Sequence, residues 1–159
     1  MTRLDRDTFG VVLLAKNAHV HALLQGADVE KIYFARVYGG PEADAGRIDA
    51  PIARRPLPSL LRFISPEGKP SVTEFSVLRR EGETSLLALR PITGLTHQLR
   101  LHCAHMGFPI LGDPQYGSSE SQGLSLRLGY AYQRLCAGEV AFRHPISGQQ
   151  IRIRSRLEA

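Results

Sequence analysis

Polar and apolar positions alternate most cleanly in KIYFARVYGG, where Tyr33, Ala35 and Val37 share one face of an extended strand and Ile32 and Phe34 the other. The cluster Gly39, Gly40 and Pro41 stops that run. Upstream, the apolar string at 11–15 predicts a buried strand, and the segment from Asn17 predicts a short helix closed by Gly26. Residues 41–70 hold six prolines and little periodicity, which predicts a long connection with brief extended pieces. SVTEFSVLRR (71–80) and TSLLALRP (84–91), split by Glu81, Gly82 and Glu83, predict a hairpin. In LTHQLRLHCAHMG the spacing turns helical. Leu99, Cys103 and Met106 stand at i, i+4 and i+7, with Gly107 and Pro109 as the stop. The Ser- and Gly-rich stretch 117–130 predicts a loop. CAGEVAFRH and QQIRIRSR predict a last hairpin in which Ile151 and Ile153 face away from Arg152, Arg154 and Arg156.

The sum is mostly strands with two helices, without the strand-helix alternation of a doubly wound sheet, so the fold class expected is α+β. With 159 residues, 43% hydrophobic and 22% charged, residues 1–159 are expected to form one domain with a real core. The longest apolar run is five residues and the start is polar, so neither a membrane span nor a signal segment is read, and the expected compartment is the cytoplasm. Cys103 and Cys136 form no CxxC pair and read as free buried thiols. Net charge is +5 and only three of the 20 basic residues are Lys. Such a surface attracts a polyanion, although an Arg-rich composition alone would look the same.

Two stretches carry candidate chemistry. RLDRDTFG concentrates Arg3, Asp5, Arg6 and Asp7 near the start. By itself this reads first as turn residues before a strand, because a hydrated carboxylate is a poor nucleophile until a cation and partial burial hold it. PITGLTHQLRLHCAHMGFPILGDPQYG places His97, His102 and His105 within nine residues, which raises a metal site. Helical geometry opposes it. At 1.5 Å and 100° per residue, His97 and His105 would stand ~12 Å apart along the axis, and His97 and His102 would point ~140° apart. No HExxH-type carboxylate accompanies them, so no metal is read.

The same block closely resembles the signature of the RluA-type pseudouridine synthases. RLDRDTFG resembles that family's catalytic loop, KIYFARVYG a third shared segment, GKPSVTEF a fourth and His144-Pro145 a fifth, in the family's order along nearly the whole chain. The resemblance implies the pseudouridine synthase fold, a mixed and largely antiparallel sheet flanked by helices and loops with an RNA-binding cleft. It implies isomerisation of a uridine in ribosomal or transfer RNA to pseudouridine, without cofactor or metal. Asp5 matches the essential aspartate that acts at the sugar or the base, and Arg100 the arginine that pairs with it. Tyr33 matches the tyrosine that stacks on the target base and is a candidate proton acceptor in the sugar step. Arg3 matches a loop position that fills the gap left by a base flipped out of its stack. Thr96, His97 and Gln98 match the run that borders the substrate. Arg152 and Arg154 are physical candidates for phosphate contact, with protection of an edge strand as the competing explanation.

The chain departs from the family pattern at three positions: Thr2 where His is usual, Phe9 where Ser is common, and Leu95 where Arg is usual. The loss of a cation at Leu95 leaves two readings open, an active isomerase and a non-catalytic RNA-binding relative. Family members also carry strands upstream of the catalytic loop, so the chain is expected to begin within its domain.

Overall fold

The computed structural model describes residues 3–156 and Ala159. Thr2 therefore lies outside the described residues. In chain order the elements are β1 (Phe9–Gly10), α1 (Ala18–Gln25), β2 (Val29–Tyr38), β3 (Ala45–Asp49), β4 (Ile52–Arg54), β5 (Arg62–Ile64), β6 (Val72–Glu81), β7 (Thr84–Pro91), α2 (Gln98–His105), α3 (Ser119–Arg127), β8 (Leu135–Arg143) and β9 (Gln150–Arg154). Seven strands form one sheet in the order β1-β8-β2-β7-β6-β3, with β9 also paired to β8. All of its pairings are antiparallel except β1 with β8. The remaining strands, β4 and β5, make a separate small hairpin. This is the α+β class read from the sequence, with the mixed, mostly antiparallel sheet that the family resemblance implied.

The alternation in β2 decides the layering. Tyr33, Ala35 and Val37 lie opposite Leu89, Leu87 and Ser85 of β7. Directly opposed residues share a face. Ala35, Val37, Leu87 and Leu89 therefore pack with Leu99 and Cys103 of α2 into the main core, and Tyr33 lies at its margin. The other face carries Glu30 and Arg36. There Arg90 of β7 bonds both Glu30 and Glu74 and Arg36 bonds Glu81, while Phe34, Leu86 and Cys136 form a small apolar cluster with Phe9, so this face is part ion-paired and part buried.

Two expectations are corrected. Residues 11–15 are not a buried strand: β1 ends at Gly10, and Val12 and Leu14 are 45% and 66% exposed. β9 occupies the edge of β8 from Glu139 to Arg143, so an arm that pairs at Cys136 and Ala137 has no free edge beyond Val11. Val11, Leu13 and Ala15 instead pack on the cluster of Val140 and Phe142. Residues 117–130 are not a loop throughout but contain α3, whose start is capped by the Ser118 side chain. Residues 41–70 do form a long connection, although β3 in it joins the main sheet.

Candidate active site

Asp5 sits in a tight turn, closed by the Thr8 N–H donating to the Asp5 carbonyl at 3.0 Å. Gln133, buried at the end of the turn before β8, donates to the Arg6 carbonyl (3.1 Å) and the Thr8 hydroxyl (2.6 Å). Gly10 then bridges to Ala137 at a φ of +113° that L side chains rarely adopt. The part of the loop that follows Asp5 is thus tied to β8 and to the turn before it, and β8 pairs with β2 at Tyr33.

Arg100 approaches from α2. Its Nη1 lies 3.7 Å from Asp5 Oδ2, an ion pair longer than a hydrogen bond. Arg100 is 4% exposed and Asp5 26%. Although 95 residues apart in sequence, the two expected catalytic groups are brought together. The other side of the guanidinium is occupied. Its Nε donates to Asp113 Oδ2 and its Nη2 to Asp113 Oδ1, each at 2.7 Å, and Nη2 donates to Gln115 Oε1 at 2.8 Å. The Tyr116 ring lies beside it, with Arg100 Cζ 5.1 Å from the ring centroid. Sequence reasoning missed Asp113, Gln115 and Tyr116 as site residues. Their signal was the Gly-Asp-Pro turn following α2, which also reads as ordinary turn chemistry.

Asp5 borders a cavity of about 360 Å³, within the range of small-molecule sites. Asp5, Tyr33, Thr96 and His97 line it, with Arg3 at its exposed rim. Lys31, two residues before Tyr33 on the same strand face, adds an unforeseen cation to the wall. Burial, assisted by the Asp5 charge, pushes the Tyr33 phenol above its ordinary value. At neutral pH Tyr33 therefore presents a protonated hydroxyl rather than a phenolate.

His97 does not belong to the helix, as the spacing suggested, but caps it at a left-handed φ of 60°. Its Nδ1 meets the Tyr116 hydroxyl at 2.8 Å, and that hydroxyl also accepts from the Arg62 N–H of β5 at 3.0 Å. Burial pushes the His97 imidazole below its ordinary range against the opposing pull of Asp5. His102 turns the other way into the core, where Thr73, Ser71 and the Ala50 carbonyl surround it.

Gln98 reaches the cavity wall, yet its amide turns inward. It donates to the Val72 carbonyl (2.9 Å) and the Thr73 hydroxyl (3.0 Å) and accepts from Thr93 (2.8 Å) and the Leu95 N–H (3.1 Å). The contacts thus tie the loop before α2, through Thr93 and Leu95, to the start of β6. Arg152 and Arg154 are not brought to the cavity. Arg154 pairs opposite Glu139, which lies opposite Ile32, so the register puts them on the sheet face away from Tyr33. Both arginines bond the buried Glu139 carboxylate.

A family model described as RNA pseudouridylate synthase matches residues 1–105. The ribosomal large subunit pseudouridine synthase C of Vibrio cholerae is 36% identical over 161 residues, an alignment covering 99% of this chain and 51% of that protein. The dual-specificity RNA pseudouridine synthase RluA of Vibrio parahaemolyticus is 41% identical over 155 residues, covering 91% of this chain and 60% of the relative. Among solved structures, human RNA pseudouridylate synthase domain containing 1 superposes with a TM-score of 0.83 at 25% identity. That match covers 98% of this chain and 67% of the human one. The chain spans about half the length of the curated relatives it matches first.

Proposed function

The chain belongs to the RNA pseudouridylate synthase family, and from this we propose that residues 1–159 act as a catalytic domain converting uridines of ribosomal or transfer RNA to pseudouridine. Asp5 is the catalytic carboxylate, Arg100 its cationic partner, and Tyr33 the ring that stacks on the base. In the reaction the N1–C1′ bond breaks, the freed uracil turns, and C5 bonds to C1′. The C5 proton leaves to solvent and N1 takes one up, so no atoms are gained or lost.

The observation that carries this reading is the half-shielded Asp5 carboxylate, 3.7 Å from a buried guanidinium, at a cavity with Tyr33 on its wall. Cations at the edge of that cavity, Arg3 and Lys31, suit a polyanionic substrate. A nucleotide can enter only when extruded from its stack, so the partner is a structured RNA whose uridine splays out of a loop or bulge. Thr96 and His97 border the entering nucleotide, and Arg3 fills the space it vacates. The proposed compartment is the cytoplasm, where the two buried free thiols stay reduced. Among the described residues no helix is long and apolar enough to cross a membrane.

The test is tritium release from C5 of uridine in unmodified ribosomal and transfer RNA transcripts. The parent chain should release label, and Asp5→Asn, which keeps the shape but loses the charge, should release none while binding RNA equally well. Turnover by Asp5→Asn within a few-fold of the parent would remove Asp5 from the mechanism.

A further inference from the structure

The guanidinium of Arg100 has five N–H donors, and the turn after α2 fixes how they are spent. Nε and Nη2 form a fork on Asp113, with both bonds at 2.7 Å, and Nη2 gives its second proton to Gln115 at 2.8 Å. Asp113 is itself immobile. It is 2% exposed, and its Oδ1 also accepts from the backbone N–H groups of Gln115 (2.9 Å) and Tyr116 (3.2 Å). The Tyr116 ring closes one side of the guanidinium, and its hydroxyl is tied to His97 and β5. Only Nη1 faces Asp5, and it stops at 3.7 Å.

That gap matters for the chemistry. A freely moving arginine beside a carboxylate closes to a charge-assisted hydrogen bond of about 2.8 Å, usually as a two-bond fork. Such a bond would stabilise the resting carboxylate and occupy the oxygens that must meet the substrate, raising the barrier to any step in which Asp5 acts. Asp113 takes the forked face of Arg100 instead. The cation stays within ion-pair distance of Asp5 while leaving the Asp5 oxygens unbonded to it.

Resting on the reading of Asp5 as the catalytic carboxylate, we propose that Asp113 and Gln115 are positioning residues that hold Arg100 back from Asp5 and so keep that carboxylate available to substrate. Neither lines the cavity. Their effect is on rate rather than on RNA binding.

The experiment compares the parent chain with Asp113→Asn and Gln115→Ala. It records melting, RNA affinity, single-turnover tritium release, and the Nε–H resonance of Arg100 in nuclear magnetic resonance spectra. In Asp113→Asn the release rate should fall about 100-fold, the scale of a misplacement near 1 Å, with RNA affinity within about threefold of the parent. The slowly exchanging Arg100 Nε–H signal of the parent should be lost in the same variant. Gln115 is exposed, so Gln115→Ala should melt as the parent does and lose about tenfold in rate, the size of one missing hydrogen bond. An unchanged rate in a folded Asp113→Asn overturns the proposal. Where Asp113→Asn fails to fold, Gln115→Ala decides: a selective rate loss supports the proposal and an unchanged rate overturns it. A parent that modifies no RNA defeats the functional reading instead. The Arg100 signal then still judges the clamp, because a freely exchanging Nε–H in the parent would refute it whatever the activity.

Discussion

Arg100 and Asp113 face each other through two bonds of 2.7 Å with 4% and 1% of their side chains exposed, which makes them the most deeply buried ion pair among the described residues. Asp5 approaches the outer side of the same guanidinium. The arginine is therefore shared between the buried Asp113 and the proposed catalytic carboxylate, and its removal has two separable consequences.

Arg100→Met should leave Asp113 charged, buried and unpaired, at a cost of about 3 to 5 kcal/mol. Its effect on melting should exceed that of Asp5→Ala, because Asp5→Ala removes a 26% exposed carboxylate and leaves Arg100 still paired with Asp113. The check is denaturant unfolding of the two variants beside the parent. Equal stabilities would mean that the fork contributes nothing to folding.

How much of this was legible follows from the physics of each segment. The alternation in β2 and the hairpin of β6 and β7 were readable because Ala35, Val37, Leu87 and Leu89 enter the main core while Glu30, Arg36 and Arg90 are ion-paired on the opposite face, so their polarity reports orientation. α3 was not readable from its composition. Its buried side is Ser121, Leu124 and Ser125, and the serines are tolerated only because Ser125 bonds the Ser121 carbonyl and the Gly112 N–H. Small polar residues satisfied in this way look like a loop. Residues 11–15 misled for the opposite reason, since apolar content was present but the partner edge was already taken by β9. At the site, Asp5, Tyr33 and Arg100 were found through the resemblance to a family. Asp113 was invisible because nothing local distinguishes an aspartate that makes a turn from one that also clamps an arginine across 13 residues.

Leu95→Arg should strengthen RNA binding. Leu95 is half-buried on the cavity wall, where a longer cationic side chain can reach outward to a phosphate. One further phosphate contact steepens the log-log salt dependence of affinity by roughly 0.7 to 0.9. Binding titrations between low and moderate salt measure it, and an unchanged slope would show that this position does not meet RNA.

Stability should fall as the pH drops below about 6.5, before most carboxylates titrate. Burial depresses both His97 and His102 in the folded chain. The unfolded chain therefore takes up protons first as the pH falls. Their contribution is fully present above the unfolded imidazole value and is lost on descent through the folded ones. Melting temperature recorded from pH 7.5 down to 5.5 should decline, and His97→Gln should flatten part of that slope. A parent whose melting temperature is level across this range would show that neither imidazole is held neutral by the fold.

Gly10→Ala should be among the costliest single-methyl changes in the chain. A Cβ there would stand 2.3 Å from the Ala137 carbonyl oxygen, which is backbone and cannot swing aside, and φ is +113°. The strain and the clash together should cost about 3 kcal/mol. The damage should also be local. β1 and the Val11 N–H bond to the Ala137 carbonyl (2.9 Å) anchor one end of the turn that carries Asp5. Displacing them moves the carboxylate relative to Arg100 and Tyr33, so tritium release should fall further than RNA affinity. Gly26→Ala is the matched control. It adds the same methyl group where no atom lies within 4 Å and φ is −96°, so it should be neutral or slightly stabilising. Comparable melting and comparable rates for the two variants would mean that the approach of Gly10 to β8 does not hold the Asp5 loop in place.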